Sequence, residues 1–419
     1  MESLDLALLD MENLTDDFFD FIKDNRNKDT TSLRLSKKAS KLDFNLDFAL
    51  LQIDCRKKTK HKLKEIIEKE KFIFPDSVAS EQASHQAVAF YHSSIFPNTD
   101  SVLDMTAGLG IDSLLLSMAG KNVTAVEINL TRADVLIYNS KLFPDIKINV
   151  VNEDALSFLN HTDKHYDLIF VDPARRSVSN SRVYNLHDCE PDILENLNLI
   201  QSKSAKILIK ASPMLDITQT LRDFDDVSSI RAVGVKGECK EILIEISNKG
   251  PSKKPDVDYP VILEAVNLDD TGNVLSSFSV DVTPTKQDED KNTIRYASNG
   301  DIIKGSYLLE PSAMVMKLTP WKEICDRFNA KKLDPVSHLF VSDKLPEDFP
   351  GRVTEIDRVI QKKDRKNLVE YPASVVARNY PLSSESLRKS LRLSEGDKNF
   401  IYATRIASKP VLILCRSIN

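Results

Sequence analysis

The sequence VLDMTAGLGIDSLLLSMAG, residues 102–120, decides the fold. An apolar strand ends at Asp104, a short turn contains Gly108 and Gly110, and a helix follows from about Ile111. A strand-to-helix turn that passes close to a nucleotide-like ligand has no space for Cβ atoms at its tightest points. The chain of 419 residues contains only 11 glycines, so two of them in one turn indicate a constraint on the backbone.

Short apolar runs alternate with helical segments through this region. Between residues 101 and 246 the runs are SVLDM, NVTAVEI, IKINVV, YDLIFVD, AKILIK, IRAVGV and EILIEI. This alternation predicts a mostly parallel sheet with helices on both faces. The five residues 236–240 are too few for a crossover helix, so we predict that the last two runs form an antiparallel hairpin at one edge. Before the sheet, SEQASHQAVAFYHSSI (80–95) predicts one helix with Ser80 as its N-cap.

Acidic side chains stand at the ends of the first four predicted strands. Glu127 ends the second strand 17 residues after Gly110, where a carboxylate accepts hydrogen bonds from both hydroxyls of a ribose. Asp154 follows the third strand, where it is placed to bond an adenine amine, and Asp172 follows the fourth. With Asp104 they mark the carboxyl ends of strands, where open α/β sheets bind ligands.

A dinucleotide-binding oxidoreductase is the alternative interpretation of this turn. Its G-x-G-x-x-G fingerprint requires a third glycine where this chain has Ser113. The loop also begins with Asp104, an anion that repels a pyrophosphate but suits a cationic ligand. S-adenosylmethionine carries a sulfonium and an α-amino group and has no phosphate. The acidic loop therefore favours S-adenosylmethionine over a nicotinamide dinucleotide.

Composition excludes several classes of protein. An apolar content of 41% suffices for packed cores, and 419 residues predict two to four domains. The five cysteines lie far apart without a C-x-x-C pair, the start of the chain is acidic, and no apolar run approaches about 20 residues. These features predict a cytoplasmic protein without a disulfide framework, structural zinc or a membrane span. The histidines show no H-E-x-x-H spacing, so we expect structural or surface positions for them and no metal site.

Several segments together resemble the class I S-adenosylmethionine-dependent methyltransferases: DMTAGLG, the strand ending in Glu127, the turn with Asp154, and DPAR after the fourth strand. Four segments resemble, more closely, a bacterial group of these enzymes that carries a C-terminal THUMP-like domain: SEQASHQAVAFY, DPARRS, IKASPMLDI and GECKEILIEI. In the tail, EPSAMVMK, KKLDPVSHLFVSD, DFPGR and VVARNYPLS resemble the same group. The resemblance covers nearly the whole chain from about residue 30.

This resemblance implies a Rossmann-like α/β fold. A seven-stranded methyltransferase sheet with its last strand antiparallel is expected at 96–250, after an N-terminal helical region at 1–95. C-terminal α+β domains follow, a small ferredoxin-like domain at 256–320 and a THUMP-like domain at 321–419. The implied cofactor is S-adenosylmethionine, and the matching positions are Asp104, Thr106, Gly108, Gly110, Glu127, Ile128, Asp154, Ala155, Asp172 and Pro173.

The resemblance also implies a substrate class, because THUMP modules elsewhere accompany enzymes that modify structured RNA. We therefore expect methylation of a base in rRNA or tRNA. Although the net charge of the chain is −6, residues 352–409 contain 13 basic and 7 acidic residues, and 56–62 reads RKKTKHK. Local field rather than total charge decides contacts with a polyanion. Residues 56–64, with 362–366 and 388–389, are therefore predicted to hold RNA on either side of the active face, and ordinary solvated surfaces are the alternative.

The methyl acceptor is less well defined by the sequence. Enzymes that methylate exocyclic base amines often carry (D/N)-P-P-(Y/F/W), whereas this chain has Asp172-Pro173-Ala174-Arg175. Asp172 is predicted to accept a hydrogen bond from the acceptor group, and the Arg175 guanidinium to stack on a base or bind a phosphate. We name Asp172, Arg175 and Lys210 as catalytic candidates. The hairpin residues Glu238, Lys240 and Glu241 are expected at a solvated edge rather than in the site.

Methylation at pyrimidine C5 requires a cysteine nucleophile. The segment after the fifth strand, Lys210-Ala211-Ser212-Pro213, has no thiol, and we expect Cys189 and Cys239 to be buried and unreactive. We therefore reject C5 chemistry. Two other classes stay open from the sequence: a methyltransferase fold that serves as a non-catalytic RNA-binding or assembly module, and a methyltransferase that acts on protein or a small molecule.

Overall fold

The computed structural model describes residues 14–35, 42–175, 186–247, 260–283 and 293–418. The predicted boundary between the second and third units, 250–256, lies outside these residues. Among the residues described, no helix is both long enough and apolar enough to cross a bilayer.

The described residues of the N-terminal region, 14–35 and 42–95, contain five helices, and the side chain that precedes each of them accepts a hydrogen bond from its first turn. The helices are α1 (Asp16–Asn25), α2 (Thr30–Arg34), α3 (Leu46–Thr59), α4 (Ser77–Gln82) and α5 (Gln86–Ser94). The single helix predicted for 80–95 is therefore wrong, and so is Ser80 as its N-cap. Asp76 caps α4 and His85 caps α5, because each side chain reaches a backbone N–H of the helix that follows it. The break between them leaves Ser84 outside both helices.

The large sheet is built from strands that alternate with helices. In chain order its elements are β1 (Ser101–Asp104), α6 (Ile111–Met118), β2 (Asn122–Val126), α7 (Leu130–Ser140), β3 (Ile148–Val151), α8 (Ala155–His161), β4 (Leu168–Val171), β5 (Ala174–Arg175), β6 (Cys189–Glu190), α9 (Leu197–Gln201), β7 (Lys206–Ala211), α10 (Ile217–Asp223), β8 (Val227–Val235), β9 (Glu238–Ser247), β10 (Val261–Leu268) and β11 (Val274–Val282). The strand order is β11-β10-β8-β9-β7-β4-β1-β2-β3, and β5 and β6 form a separate pair.

The predicted fold class is confirmed, and the sheet is larger than the seven strands that we expected. Strands β1, β2, β3, β4 and β7 are parallel, and β9 runs antiparallel between β7 and β8. The β8–β9 hairpin is not at the edge of the sheet, because β10 pairs in parallel with the outer side of β8 and β11 follows it. The hydrophilic stretch before β10 suggested a new domain, but β10 and β11 continue the large sheet.

A second sheet is formed by the C-terminal part of the chain. Its elements are β12 (Tyr307–Pro311), α11 (Ala313–Leu318), α12 (Trp321–Arg327), β13 (Lys331–Lys332), β14 (Phe340–Ser342), β15 (Gly351–Val359), a 3-10 helix (Lys362–Leu368), β16 (Ser374–Ala377), α13 (Ser384–Leu391), β17 (Asn399–Ile406) and β18 (Lys409–Ser417). The order is β13-β14-β12-β15-β18-β17-β16, with only β16 and β17 parallel. One buried cluster contains Ile242 of β9, Val315 of α11 and Phe340 of β14, so the two sheets share a core.

Candidate active site

A cavity of about 660 Å³ opens at the carboxyl ends of β1, β2, β3 and β4. It is lined by eight of the ten residues that we predicted to bind the cofactor: Thr106, Gly108, Gly110, Glu127, Ile128, Asp154, Ala155 and Asp172. The other two, Asp104 and Pro173, are buried and are not among the lining residues. Residues that are far apart in the sequence thus meet at one edge of the sheet.

The turn between β1 and α6 has the backbone that its glycines suggested. Gly108 and Gly110 have φ values of 55° and 81°, in the left-handed region. A Cβ on Gly110 would lie 2.1 Å from Cδ1 of Leu136 in α7, so a larger residue there would require this buried side chain to move. The Thr106 hydroxyl accepts a hydrogen bond from the N–H of Asp172 at 2.7 Å. This bond connects the turn after β1 to the end of β4.

Asp104 lies beneath the turn rather than at its surface. The side chain is buried, and its two oxygens accept hydrogen bonds from the N–H of Thr106 (3.1 Å) and the hydroxyl of Ser113 (2.6 Å). Burial raises the pKa of Asp104 to about 7, although the Ser113 hydrogen bond opposes this change. The geometry makes Asp104 a brace for the turn, whereas we expected an anion facing the ligand.

Glu127 and Asp154 reach the cavity with part of their hydrogen-bonding capacity already used. Glu127 accepts from the N–H groups of Gly108 and Asn129, each at 2.8 Å, one on each carboxylate oxygen. Asp154 caps α8 by accepting from the N–H of Ser157 at 2.9 Å. An ionised carboxylate has about four acceptor sites, so both side chains retain sites for a ligand. The exposed side chain of Ile128 adds an apolar surface at the cavity rim.

The charge of the cavity wall is strongly negative. Its eight acidic residues are Asp112, Glu127, Glu153, Asp154, Asp172, Glu190, Asp192 and Glu195. Among the lining residues that the structure describes, Arg132 is the only Lys or Arg, and its Nε donates to Asp76 at 3.0 Å. Such a wall repels phosphate groups and attracts a cationic ligand.

Asp172 and Lys210, which the sequence placed at two different strand ends, form an ion pair. Lys210 Nζ donates to Asp172 Oδ2 at 2.5 Å and to the hydroxyl of Ser84 at 2.8 Å. The Asp172 side chain is 37% exposed and that of Lys210 is 12% exposed, so the carboxylate is the member of the pair that faces the cavity. The third catalytic candidate, Arg175, lies in β5, whose backbone pairs with Cys189. Its role stays a prediction.

The hydrogen bonds of this ion pair continue into the core through residues that we did not predict. The Ser84 hydroxyl donates to Asp112, and Asp112 accepts from Nδ1 of His92 at 2.8 Å. Nε2 of His92 contacts Glu241. We expected Glu241 at a solvated edge, and this was wrong because β9 lies between β7 and β8 and His92 of α5 packs against Glu241, which is 3% exposed. Near it in the sequence, Glu238 is exposed as expected.

The two cysteines considered for C5 chemistry are not placed for it. Cys189 is fully buried, and burial raises the pKa of Cys239 to about 11. Neither is among the residues that line the cavity. In the described parts of the chain, no three His, Cys, Asp or Glu side chains are grouped so that they would hold a metal ion.

The N-terminal basic run makes many of its contacts within the protein. Arg56 donates to the carbonyl groups of Ile67 (2.8 Å) and Phe72 (2.6 Å) and to others between them. Lys58 forms an ion pair with Glu81 at 2.6 Å, and Lys62 donates to the Glu81 carbonyl, also at 2.6 Å. The run therefore connects α3 to the following turns and to α4, and its predicted contact with RNA stays a prediction.

The basic residues of the tail differ in their surroundings. Arg388 and Lys389 in α13 form ion pairs with Glu395 (3.0 Å) and Glu385 (2.7 Å). By contrast, the basic side chains of the 3-10 helix are exposed: Lys362, Lys363, Arg365 and Lys366. Of the predicted RNA contacts in the tail, the 3-10 helix thus presents the more accessible positive charge.

Comparisons with known proteins agree with this architecture. A ferredoxin-like domain model matches residues 307–350, and a THUMP domain-like model matches residues 351–417. The crystal structure of a "putative methyltransferase" from Porphyromonas gingivalis W83 superposes with a TM-score of 0.81 at 27% sequence identity. The superposition covers 98% of this chain and 99% of that one. The domain boundaries that we predicted, 256–320 and 321–419, are not those of the two matches.

Two curated relatives align with parts of the chain. An "uncharacterized RNA methyltransferase" of Mycoplasma mobile is 33% identical over 79 residues, which are 19% of this chain and 22% of the relative. The "ribosomal RNA small subunit methyltransferase J" of Coxiella burnetii is 26% identical over 168 residues, 38% of this chain and 56% of the relative. The chain thus spans 22% of the length of the first relative and 56% of the length of the second. With the superposition and domain matches, they confirm the resemblance to methyltransferases that carry a THUMP-like domain.

Proposed function

We propose that this chain, a methyltransferase fold followed by ferredoxin-like and THUMP-like domains, transfers a methyl group from S-adenosylmethionine to a base in RNA. The observation that carries the proposal is the cavity at the carboxyl ends of β1 to β4, with its eight carboxylates. A cofactor with a sulfonium and an ammonium group suits this wall, whereas NAD or ATP would bring phosphates against it.

The residues present fit the parts of this cofactor. Glu127 retains acceptor sites for the ribose hydroxyls, and Asp154 for the adenine amine. Ile128 supplies an apolar surface for the adenine ring. Gly108 and Gly110, which have no Cβ atoms, leave space for the rest of the cofactor to approach the backbone of the turn. Asp104 holds that turn from below through Ser113 and Thr106. When bound, S-adenosylmethionine supplies an activated methyl group.

The protein's own contribution to the transfer is orientation. Asp172 faces the cavity and accepts a hydrogen bond from the methyl acceptor, which fixes the direction in which the acceptor approaches. Lys210 holds the Asp172 carboxylate in place by a short hydrogen bond. Burial lowers the pKa of Lys210, but the carboxylates of Asp172, Asp112 and Glu241 outweigh burial and raise it. Lys210 therefore remains an ammonium at neutral pH. Burial raises the pKa of Asp172, and the Lys210 ammonium opposes this change.

RNA as the substrate is supported by the THUMP domain-like match and by the relatives named for RNA and for ribosomal RNA of the small subunit. The exposed basic side chains of the 3-10 helix Lys362–Leu368 belong to that same domain. We expect a structured rRNA or tRNA, bound across the C-terminal domain with one base entering the cavity.

The test has two steps. Calorimetry with purified protein should first show binding of S-adenosylmethionine. Methyl-labelled cofactor should then label RNA rather than protein or metabolites, and nucleoside mass spectrometry of cells with and without the gene should identify the missing methylated base. Binding without any methyl transfer would favour a non-catalytic RNA-binding or assembly module, and labelled protein or metabolites would favour the other open class. Absence of binding would refute the proposal.

A further inference from the structure

The hydrogen bonds of the buried His92 determine its charge, because they require both of its ring nitrogens to be donors. Both of its ring nitrogens lie against carboxylates, Asp112 on one side and Glu241 on the other. Ionised carboxylates only accept hydrogen bonds, so both nitrogens must donate and the ring is an imidazolium. Burial lowers the pKa of His92, but Glu241 and Asp112 outweigh burial and raise it to about 10.

The series of hydrogen bonds from Asp172 to Glu241 carries a net negative charge, and this charge is not spread evenly along it. Two cations, Lys210 and His92, stand with two carboxylates that are nearly inaccessible, Asp112 and Glu241, whose side chains are 11% and 4% exposed. The third carboxylate, Asp172, is 37% exposed and is the most accessible of the three, although Asp112 also lines the cavity. The surplus negative charge of these hydrogen-bonded side chains therefore lies on Asp172, at the surface that meets the substrate.

Removal of the charge on His92 would change this distribution. Lys210 would then be the only cation of the group and would have to compensate Asp112 and Glu241 in the interior, where unpaired charge costs most. Its ammonium already contacts Ser84, whose hydroxyl donates to Asp112, so a small shift along this path would draw it away from Asp172.

We propose that His92 and Ser84 are positioning residues of the active site, which hold the Lys210 ammonium on Asp172 and so keep that carboxylate aligned with the methyl acceptor. The inference rests on the proposed function. It also gives the N-terminal region a part in the site, because His92 belongs to α5 and Ser84 to the break between α4 and α5.

The charge of His92 can be measured without an assay of enzymatic activity. Nitrogen-15 NMR of protein labelled in histidine, with the His92 signals assigned by their loss in His92→Gln, should show both ring nitrogens protonated at pH 8. A neutral ring at that pH would overturn the inference, whatever the enzyme does.

Kinetics then test the effect on the reaction. His92→Gln should lower kcat by about 10- to 100-fold while the Kd of S-adenosylmethionine stays within about twofold, because the acceptor and not the cofactor is misplaced. The double variant His92→Gln/Glu241→Gln removes one charge of each sign from the interior and restores the balance. It should recover kcat to within about threefold of the wild type, since Gln can donate to Gln. A double variant as slow as His92→Gln would overturn the proposal, because a purely structural role gives no reason for recovery.

Ser84 supplies a second set of variants that does not depend on the folding of His92→Gln. Ser84→Ala should lower kcat by about tenfold, and Ser84→Thr, which keeps the hydroxyl, should restore most of it. Ser80→Ala is the matched control, since Ser80 is also buried, in α4, but its hydroxyl donates to the Ser77 carbonyl. Equal losses in Ser84→Ala and Ser80→Ala would contradict the inference. A wild-type protein that binds S-adenosylmethionine but methylates no RNA would instead refute the proposed function.

Discussion

The two walls of the cavity are built in different ways. The wall formed by Glu127, Ile128 and Asp154 comes from one continuous stretch, 104–155, in which each of these residues lies within three positions of the end of its strand. The wall around Asp172 is supported from behind by side chains of five different segments, of which only one belongs to that stretch: Ser84, His92, Asp112, Lys210 and Glu241. A local wall can be recognised from sequence spacing, whereas a wall assembled over long distances cannot.

The hydrogen bonds of the two walls differ in the same way. In the first wall, backbone N–H groups hold the carboxylates, as Gly108 and Asn129 hold Glu127. In the second, side chains bond to side chains, so one substitution changes several partners at once. We therefore expect substitutions in the first wall to weaken cofactor binding and substitutions in the second to slow the transfer.

The largest effect is expected at Asp172. Asp172→Asn should lower kcat by about 100-fold or more, because the amide replaces an ionised acceptor and no longer holds the Lys210 ammonium. The Kd of S-adenosylmethionine should change by less than about threefold, and single-turnover methyl transfer with calorimetry separates the two quantities.

Strand β4 offers a matched control for this substitution. Asp167 precedes the same strand at its opposite end, where it accepts hydrogen bonds from the N–H groups of Asp100 and Ser101. Asp167→Asn should leave kcat within about twofold of the wild type. If both variants lost activity equally, Asp172 would act on the stability of the sheet and the distinction between the walls would fail.

The first wall should give a smaller effect, confined to binding. Glu127→Gln removes one charge and one acceptor, which corresponds to about 1.5 kcal/mol, or a tenfold rise in the Kd of S-adenosylmethionine. Because Glu127 is assigned to the ribose, S-adenosylhomocysteine, which lacks the sulfonium charge but keeps the ammonium group, should lose the same factor. A loss restricted to S-adenosylmethionine would show that Glu127 acts on the sulfonium instead.

The sequence predicted the wall of the cavity that contains Glu127 better than the wall that contains Asp172. The turn with Gly108 and Gly110 and the strand ending in Glu127 were recognisable, since spacing along the chain determines where they lie. Glu241 appeared from its neighbours to belong to a solvated polar hairpin. Its burial depends on the position of β9 between β7 and β8, and the local sequence does not show this position. Ser84 was placed inside a helix because the capping of α5 by the His85 ring is not a usual helix-start signal.

Asp104 allows a test of the braced turn through pH. Its pKa is raised from 3.8 to about 7 in the folded protein, so between about pH 4 and pH 7 the folded state holds a proton that the unfolded chain has lost. Stability is consequently reduced as pH rises through this window. Asp104→Asn cannot ionise, and its free energy of unfolding should fall less between pH 5 and pH 8 than that of the wild type, by about 3 kcal/mol.

Denaturation with urea at both pH values measures this difference. Asp167→Asn is the control, because hydrogen bonds from the Ser101 and Asp100 backbone lower the pKa of Asp167. Its contribution to stability is present above about pH 4 and is lost only as pH falls. An identical pH dependence in wild type and Asp104→Asn would mean that the Asp104 carboxyl titrates normally, as expected of an anion that faces solvent rather than a buried brace.

Domain limits show the same distinction on a larger scale. The models matched at 307–350 and 351–417 divide the chain between β14 and β15, yet β12 and β15 pair along five residues in one sheet. In the other direction, β10 and β11 follow a hydrophilic stretch but extend the large sheet. Composition along the chain indicates where loops lie, and hydrogen bonding between strands decides which strands belong together.

The smallest effect is expected on the surface, where charge acts through solvent. Lys362→Gln/Lys363→Gln in the exposed 3-10 helix should weaken RNA binding by about three- to tenfold and reduce its dependence on salt, with S-adenosylmethionine binding unchanged. Arg388→Gln/Lys389→Gln removes the same charge from residues that already pair with Glu395 and Glu385, and should have the lesser effect on RNA binding. Fluorescence anisotropy with labelled RNA at several salt concentrations measures both variants. If the α13 variant were the weaker binder, RNA would run along α13, and the 3-10 helix would be an ordinary solvated surface.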